Sequence, residues 1–111
     1  MGSMQITIKE LQEYLSQRYN GWANEQGLFM KLVEETGEVA EVLNQRSGRK
    51  SADKDDLQDR LGEELADMLH YIVAIASVNE INLTQCILRK DKRASEKYHH
   101  ETNLTQFLSE R

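Results

Sequence analysis

Proline does not occur in this chain of 111 residues, so no residue forces a helix to break and every pause must come from elsewhere. Cysteine occurs once, at Cys86, which excludes an internal disulfide; with no stretch that reads as a secretory signal, a reducing cytoplasm is the expected setting. No apolar run approaches the roughly 20 residues that cross a bilayer. An excess of basic residues is also missing. The formal net charge is -5, with 30% charged and 39% hydrophobic residues, which argues against a nucleic-acid polymer or an acidic membrane as partner. Internal repeats beyond a doubled acidic pattern, low-complexity tracts and two-residue strand periodicity are absent as well. Met1-Gly2-Ser3-Met4 reads as an expression scar, which leaves 5–111 as one domain, large enough for a modest core that association would help to stabilise.

What is present is helix after helix. Thr7 followed by Glu10 predicts a capping box that opens a first helix from about Ile8 to Tyr19, with Leu11, Tyr14 and Leu15 inward. Asn20-Gly21 ends it, and a loop through Trp22 to Gly27 leads to a second helix, Leu28 to Leu43. From Asn44 to Asp53 the only apolar residue is Ala52, so a solvated connection is expected there. A third helix runs from about Lys54 to Val78 and is broken by Asn79 to Asn82. Asn82 with Gln85 predicts a capping box that opens a fourth, about Leu83 to Tyr98, with Cys86, Ile87 and Ala94 inward and Arg89, Lys90, Lys92, Arg93 and Lys97 supplying positive charge. The tail from His99 has too little apolar content to assign. The expected fold is all-α with four main helices.

The charges of the two central helices are badly placed for ordinary surface helices. At about 100° per residue, Leu28, Leu32, Val39 and Val42 lie within about 60° of Glu35, so that carboxylate points into the apolar stripe. Glu38, one turn on, lies at the stripe's edge. The third helix repeats the choice: Leu57, Leu61, Met68, Tyr71 and Ile75 surround Glu64, and Asp67 sits at the edge. A carboxylate facing a core is costly unless it is paired, protonated or bound to a cation. If the two helices pack face to face, four such groups meet, and carboxylate oxygens suit hard divalent ions such as Mg²⁺ or Mn²⁺.

Glu34-Glu35-Thr36-Gly37-Glu38 and Glu64-Leu65-Ala66-Asp67, EExxE followed by ExxD with residues 39–63 between them, resemble the motifs of the MazG-like all-α nucleoside triphosphate pyrophosphohydrolases. That superfamily also includes dimeric dUTPases, dCTP pyrophosphatases and phosphoribosyl-ATP pyrophosphohydrolase. The resemblance extends from about Trp22 to Tyr98. It implies a MazG-like bundle that hydrolyses a (d)NTP to the monophosphate and pyrophosphate, with Mg²⁺ (Mn²⁺ as substitute) held by Glu35, Glu38, Glu64 and Asp67. Glu34 and Glu63 are further candidates for orienting those ligands or accepting a proton from water. Lys31, Lys90, Arg93 and Lys97 are candidates for neutralising the pyrophosphate, with Tyr98 beside them and Trp22 near the base. Some relatives carry Asn where Ala94 stands here, so a contact that needs that amide does not carry over. A homodimer or homotetramer that completes the site is implied too. It is supported by Leu69, Ile72, Val73 and Ala76, which widen the third helix's apolar stripe past what one hairpin covers. House-cleaning of the nucleotide pool is the biological role that the resemblance suggests.

Each choice has a plainer competitor. Arg60 or a lysine of the fourth helix would neutralise Glu64 without any metal, giving a non-catalytic helical interaction module. A hydrolase of the same superfamily acting on phosphoribosyl-ATP or a modified nucleotide is the other alternative. Glu41, Asp55, Asp56 and Asp59 read as a solvated face, Tyr71 and Met68 as core, Cys86 as a small buried apolar group and His70 as a surface or interface residue. Gly37 costs about 1 kcal/mol relative to Ala in a helix interior, which suggests close approach by another helix or by a ligand.

Overall fold

The computed structural model describes residues 3–21, 23–49 and 54–111. It contains five α-helices in the order α1 (Ile8–Arg18), α2 (Glu25–Asn44), α3 (Lys54–Val78), α4 (Leu83–Lys97) and α5 (Leu104–Ser109), with a π-type turn at Gln45–Arg49 after α2. No strand occurs among the described residues.

Short polar side chains decide where the helices begin. Thr7 and Glu10 form the reciprocal capping box of α1, with Thr7 Oγ1 accepting from the Glu10 N–H at 3.1 Å and Glu10 Oε1 from the Thr7 N–H at 2.8 Å. Helix α2 starts at Glu25, three residues before the apolar pattern, because Asn24 Oδ1 accepts from the Gly27 N–H at 2.7 Å. Asn82 caps α4 through the Gln85 N–H. The unassigned tail forms α5 through a second capping box, Asn103 with Gln106, and the Leu104 N–H donates to Asp91 Oδ2 at 2.6 Å, which ties α5 to α4. Gly48, at φ 93°, provides the left-handed residue on which the turn after α2 reverses.

Helices α2 and α3 form an antiparallel hairpin, and α1 packs on α3. Leu15, Tyr19, Leu28, Val73 and Ala74 make the core where these three meet, with Leu11, Ala23, Tyr71, Ile75, Val78 and Leu83 packed around it. Val73 and Ala76, expected to await a second subunit, are buried within the protomer itself. Leu65, Leu69 and Ile72 on α3, and Phe29, Met30 and Val33 on α2, remain exposed, Met30 at 60%. These residues recur at helical spacing, so each helix keeps an apolar row that nothing in the protomer covers. Gly37 lies on the α2 row, and a Cβ there would meet nothing within 4 Å, so no helix of this protomer explains the glycine.

Helix α4 leaves the hairpin. Its axis turns 106° from that of α3, and it packs on α1 and α5 rather than on α2. Gln12 of α1 fixes this corner: Nε2 donates to the Ile81 carbonyl at 2.7 Å and Oε1 accepts from the Leu83 N–H at 3.0 Å, while Ser77 Oγ donates to the Gln12 carbonyl. The radius of gyration is 17.2 Å, well above the ~13 Å of a compact chain of this length. No single helix is long and apolar enough to cross a membrane among the described residues.

Candidate metal centre

The antiparallel contact of α2 and α3 turns the two acidic stripes toward each other. Leu28 and Val42 of α2 and Leu57 of α3 are buried, and Glu35 and Glu64 are half-buried in the same seam. One carboxylate oxygen from each of Glu35, Glu64 and Asp67 falls within 4.8 Å of the other two. Glu38 is more exposed but lies within hydrogen-bonding reach of Glu64 and Glu35. All four acids singled out from the sequence thus share one seam.

The electrostatics of that seam are unfavourable as they stand. Glu35 Oε2 and Glu64 Oε2 are buried with no hydrogen-bond partner. Buried polar atoms are rarely left so, since an unsatisfied acceptor costs its full desolvation penalty. Protonation is one escape. The pKa of Glu64 is raised, first by its hydrogen bond with Glu35 and further by burial and the charges of Glu35 and Asp67. That of Glu38 is raised chiefly by Glu64, through a hydrogen bond and then its charge. A divalent cation is the other escape, and the donor set fits one: hard oxygens from two helices, two of them buried and unpartnered.

Neutralisation by the protein itself is not found. No ion pair to any of the four acids occurs among the described residues. Arg60 donates to Gln45 Oε1 at 3.0 Å, and Lys31 pairs with Glu34 at 3.3 Å on the solvent side. Glu34 and Glu63 are both exposed, turned away from the seam. Lys90, Arg93, Lys97 and Tyr98 lie on α4 or at its end, so the protomer does not bring them to the carboxylates. Their apolar periodicity specified a helix but not the corner that carries it off. Tyr98 instead stacks with His100 under Lys97. Trp22 falls outside the described residues.

One turn from the carboxylates on each helix, a cavity of about 310 Å³ opens, lined by Tyr19, Ala23, Asn24, Gly27, Leu28, Lys31 and Tyr71. Lys31 precedes Glu35 by one turn and Tyr71 follows Asp67 by one turn, so cavity and seam are neighbours along the hairpin. Tyr71 both packs on the core and lines this cavity. The aromatic wall was hard to foresee: Tyr19 ends α1, far in sequence from the acidic motifs, and tertiary packing brings it in. His70, expected at the surface or at an interface, is part-buried between the two tyrosines.

Comparison with known proteins agrees with this geometry. Residues 23–102 match the MazG nucleotide pyrophosphohydrolase domain, and the chain belongs to that family. It is 29% identical over 83 residues to the uncharacterized protein YpjD of Bacillus subtilis (strain 168), a match covering 71% of this chain and 75% of that one. It also resembles the crystal structure of iMazG from Vibrio DAT 722, with a TM-score of 0.58 and 28% identity over 87% of this chain and all of that one.

Proposed function

We propose that the protein hydrolyses a nucleoside triphosphate between its α and β phosphates, releasing the monophosphate and pyrophosphate, with Mg²⁺ (or Mn²⁺) held by Glu35, Glu38, Glu64 and Asp67. The observation that carries this reading is the pair of buried, unpartnered carboxylate oxygens on facing helices, with a tyrosine-walled cavity directly beside them. A divalent cation bound there would supply charge neutralisation for the polyphosphate and a lowered pKa for attacking water.

The chain's own residues divide the remaining work. The seam buries one oxygen each of Glu35 and Glu64 and holds the two carboxylates on facing helices. Glu34 pairs with Lys31 on the solvent side of α2; in this proposal their separation on substrate arrival would let Glu34 turn toward the seam as proton acceptor for the attacking water and free Lys31 for the phosphates. Tyr71, Tyr19 and Leu28 enclose the nucleoside side of the substrate.

A homodimer, or a tetramer of two such pairs, is part of the proposal. A second copy would cover the rows at Met30, Val33 and Gly37 and at Leu65, Leu69 and Ile72, the kind of exposed apolar patch that marks an association surface. The partner's α4 would then carry Lys90, Arg93, Lys97 and Tyr98 to the pyrophosphate. The physiological role follows as removal of unwanted nucleotides from the cytoplasmic pool.

The decisive experiment is a panel of standard and modified (d)NTPs and phosphoribosyl-ATP with Mg²⁺ or Mn²⁺, reading pyrophosphate. Metal-dependent pyrophosphate release from at least one (d)NTP is expected. Orthophosphate as the primary product contradicts α–β cleavage, turnover confined to phosphoribosyl-ATP or a modified nucleotide narrows the substrate, and no turnover with melting unchanged by EDTA leaves a helical interaction module.

A further inference from the structure

Beside the seam lies a contact that metal binding does not use. His70 follows Asp67 by three residues on α3, yet its ring turns toward α1, where its Nε2 meets the Tyr19 hydroxyl at 2.6 Å. The two rings meet edge to face with centroids 5.7 Å apart, and on its other side His70 meets Tyr71 in the same manner at 4.9 Å. Both of these tyrosines line the 310 Å³ cavity, whereas His70 does not. The imidazole therefore stands behind the cavity wall and touches each of its aromatic panels.

We infer that His70 is a positioning residue that fixes Tyr19 and Tyr71 as the wall against which the base of the nucleotide packs. This rests on the proposed nucleotide hydrolysis and adds to it the device that sets affinity for the base. Burial, helped by the charge of Arg18, lowers the pKa of His70, so the ring is neutral and one nitrogen is an acceptor. A phenol O–H is the natural donor to it, and 2.6 Å is at the short end for such a bond. Tyr19 is 7% exposed and belongs to the core cluster, so its ring cannot swing out of the wall. Tyr71 is held from behind by the same imidazole. The nucleoside side of the site is thereby a pre-set flat pocket, which reduces the ordering cost of binding a planar aromatic group.

A plain α1–α3 staple would show the same contacts, so the test must separate base recognition from stability. Inorganic tripolyphosphate serves as the probe, since it engages the phosphate subsite but carries no base. Tyr19→Phe and His70→Phe keep a ring and remove the hydrogen bond, while His70→Gln returns an acceptor. With the best nucleotide from the panel, each Phe variant should raise KM roughly tenfold with kcat little changed, and the double variant should be no worse than either single one. Inhibition by tripolyphosphate should stay as in the wild type, and His70→Gln should recover most of the KM. Unchanged KM in both Phe variants, or a parallel weakening of tripolyphosphate inhibition, overturns the inference and leaves a staple. If one Phe variant fails to fold, the other decides by the same two readouts; if both fail, His70→Leu decides, a raised KM with unchanged tripolyphosphate inhibition at wild-type melting temperature supporting the inference and an unchanged KM overturning it. A wild-type protein inhibited by nothing and hydrolysing no nucleotide removes the functional reading first, and this inference with it.

Discussion

The α2–α3 seam and helix α4 carry the same kind of sequence signal, apolar residues at helical spacing with charges between them, yet they differ in how fully one protomer uses them. In the seam, the stripe around Glu35 meets the stripe around Glu64, and the acids converge within 4.8 Å. In the α4–α5 arm, α4 packs on α1 and α5 rather than on α2, and Ile87, Tyr98, Phe107 and Leu108 stay exposed. The difference teaches that a helix's own period fixes which residues share a face, whereas the corner between helices fixes what that face meets.

Breaking the seam should have the largest effect. Glu38→Gln or Asp67→Asn should each lower turnover at least about a hundredfold while the far-UV signal stays helical, because each removes an oxygen ligand without removing the fold. Wild-type activity in either variant takes that residue out of the site.

Next in size, and most direct on the comparison, is a complementation of seam and arm. Glu64→Gln and Lys90→Ala/Lys97→Ala chains should each be nearly inactive, and co-expression should restore partial activity. Mixed dimers would then pair an intact seam from one chain with an intact arm from the other. Rescue that never exceeds the two separate activities would mean that the lysines do not serve the site across subunits.

The smallest effect sharpens the electrostatics of the seam. Because Glu38 and Glu64 have carboxyl pKa values raised above the ordinary 4.5, the metal-free native state holds these protons more tightly than the unfolded chain does. Their contribution is fully present below about pH 4.5 and is lost as pH rises through the raised values. Without metal, the melting temperature of the wild type relative to Glu64→Gln should therefore fall over that rise, as read by thermal melts. Mg²⁺ should restore the wild type above the raised pKa, where ligands are ionised, and should not stabilise Glu64→Gln to the same degree.

Much of this was legible in the residues alone. The angular position of Glu35 and Glu64 gave the seam, because a carboxylate among Leu28, Val42 and Leu57 has few other places to point. Thr7 with Glu10 gave the start of α1, and Asn103 with Gln106, the same signature, would have given α5 had composition not argued against a helix there. Asn24 was passed over as a cap because the apolar period begins three residues later. The rest was tertiary. No local pattern says that Tyr19 lines a cavity with Tyr71, that His70 is drawn toward α1, or that Val73 and Ala76 are buried within the protomer while Leu65, Leu69 and Ile72 are not. The basic residues of α4 share one helix, and their sequence holds no instruction about the corner that precedes it.

One side chain bridges that corner. Gln12 occupies both a carbonyl and an N–H on the two sides of the bend, the role a neighbouring strand plays for backbone in a sheet. A glutamine nearly seventy positions upstream therefore steers the whole C-terminal third of the molecule, and the heading of that limb was decided in the first helix before the limb itself was made.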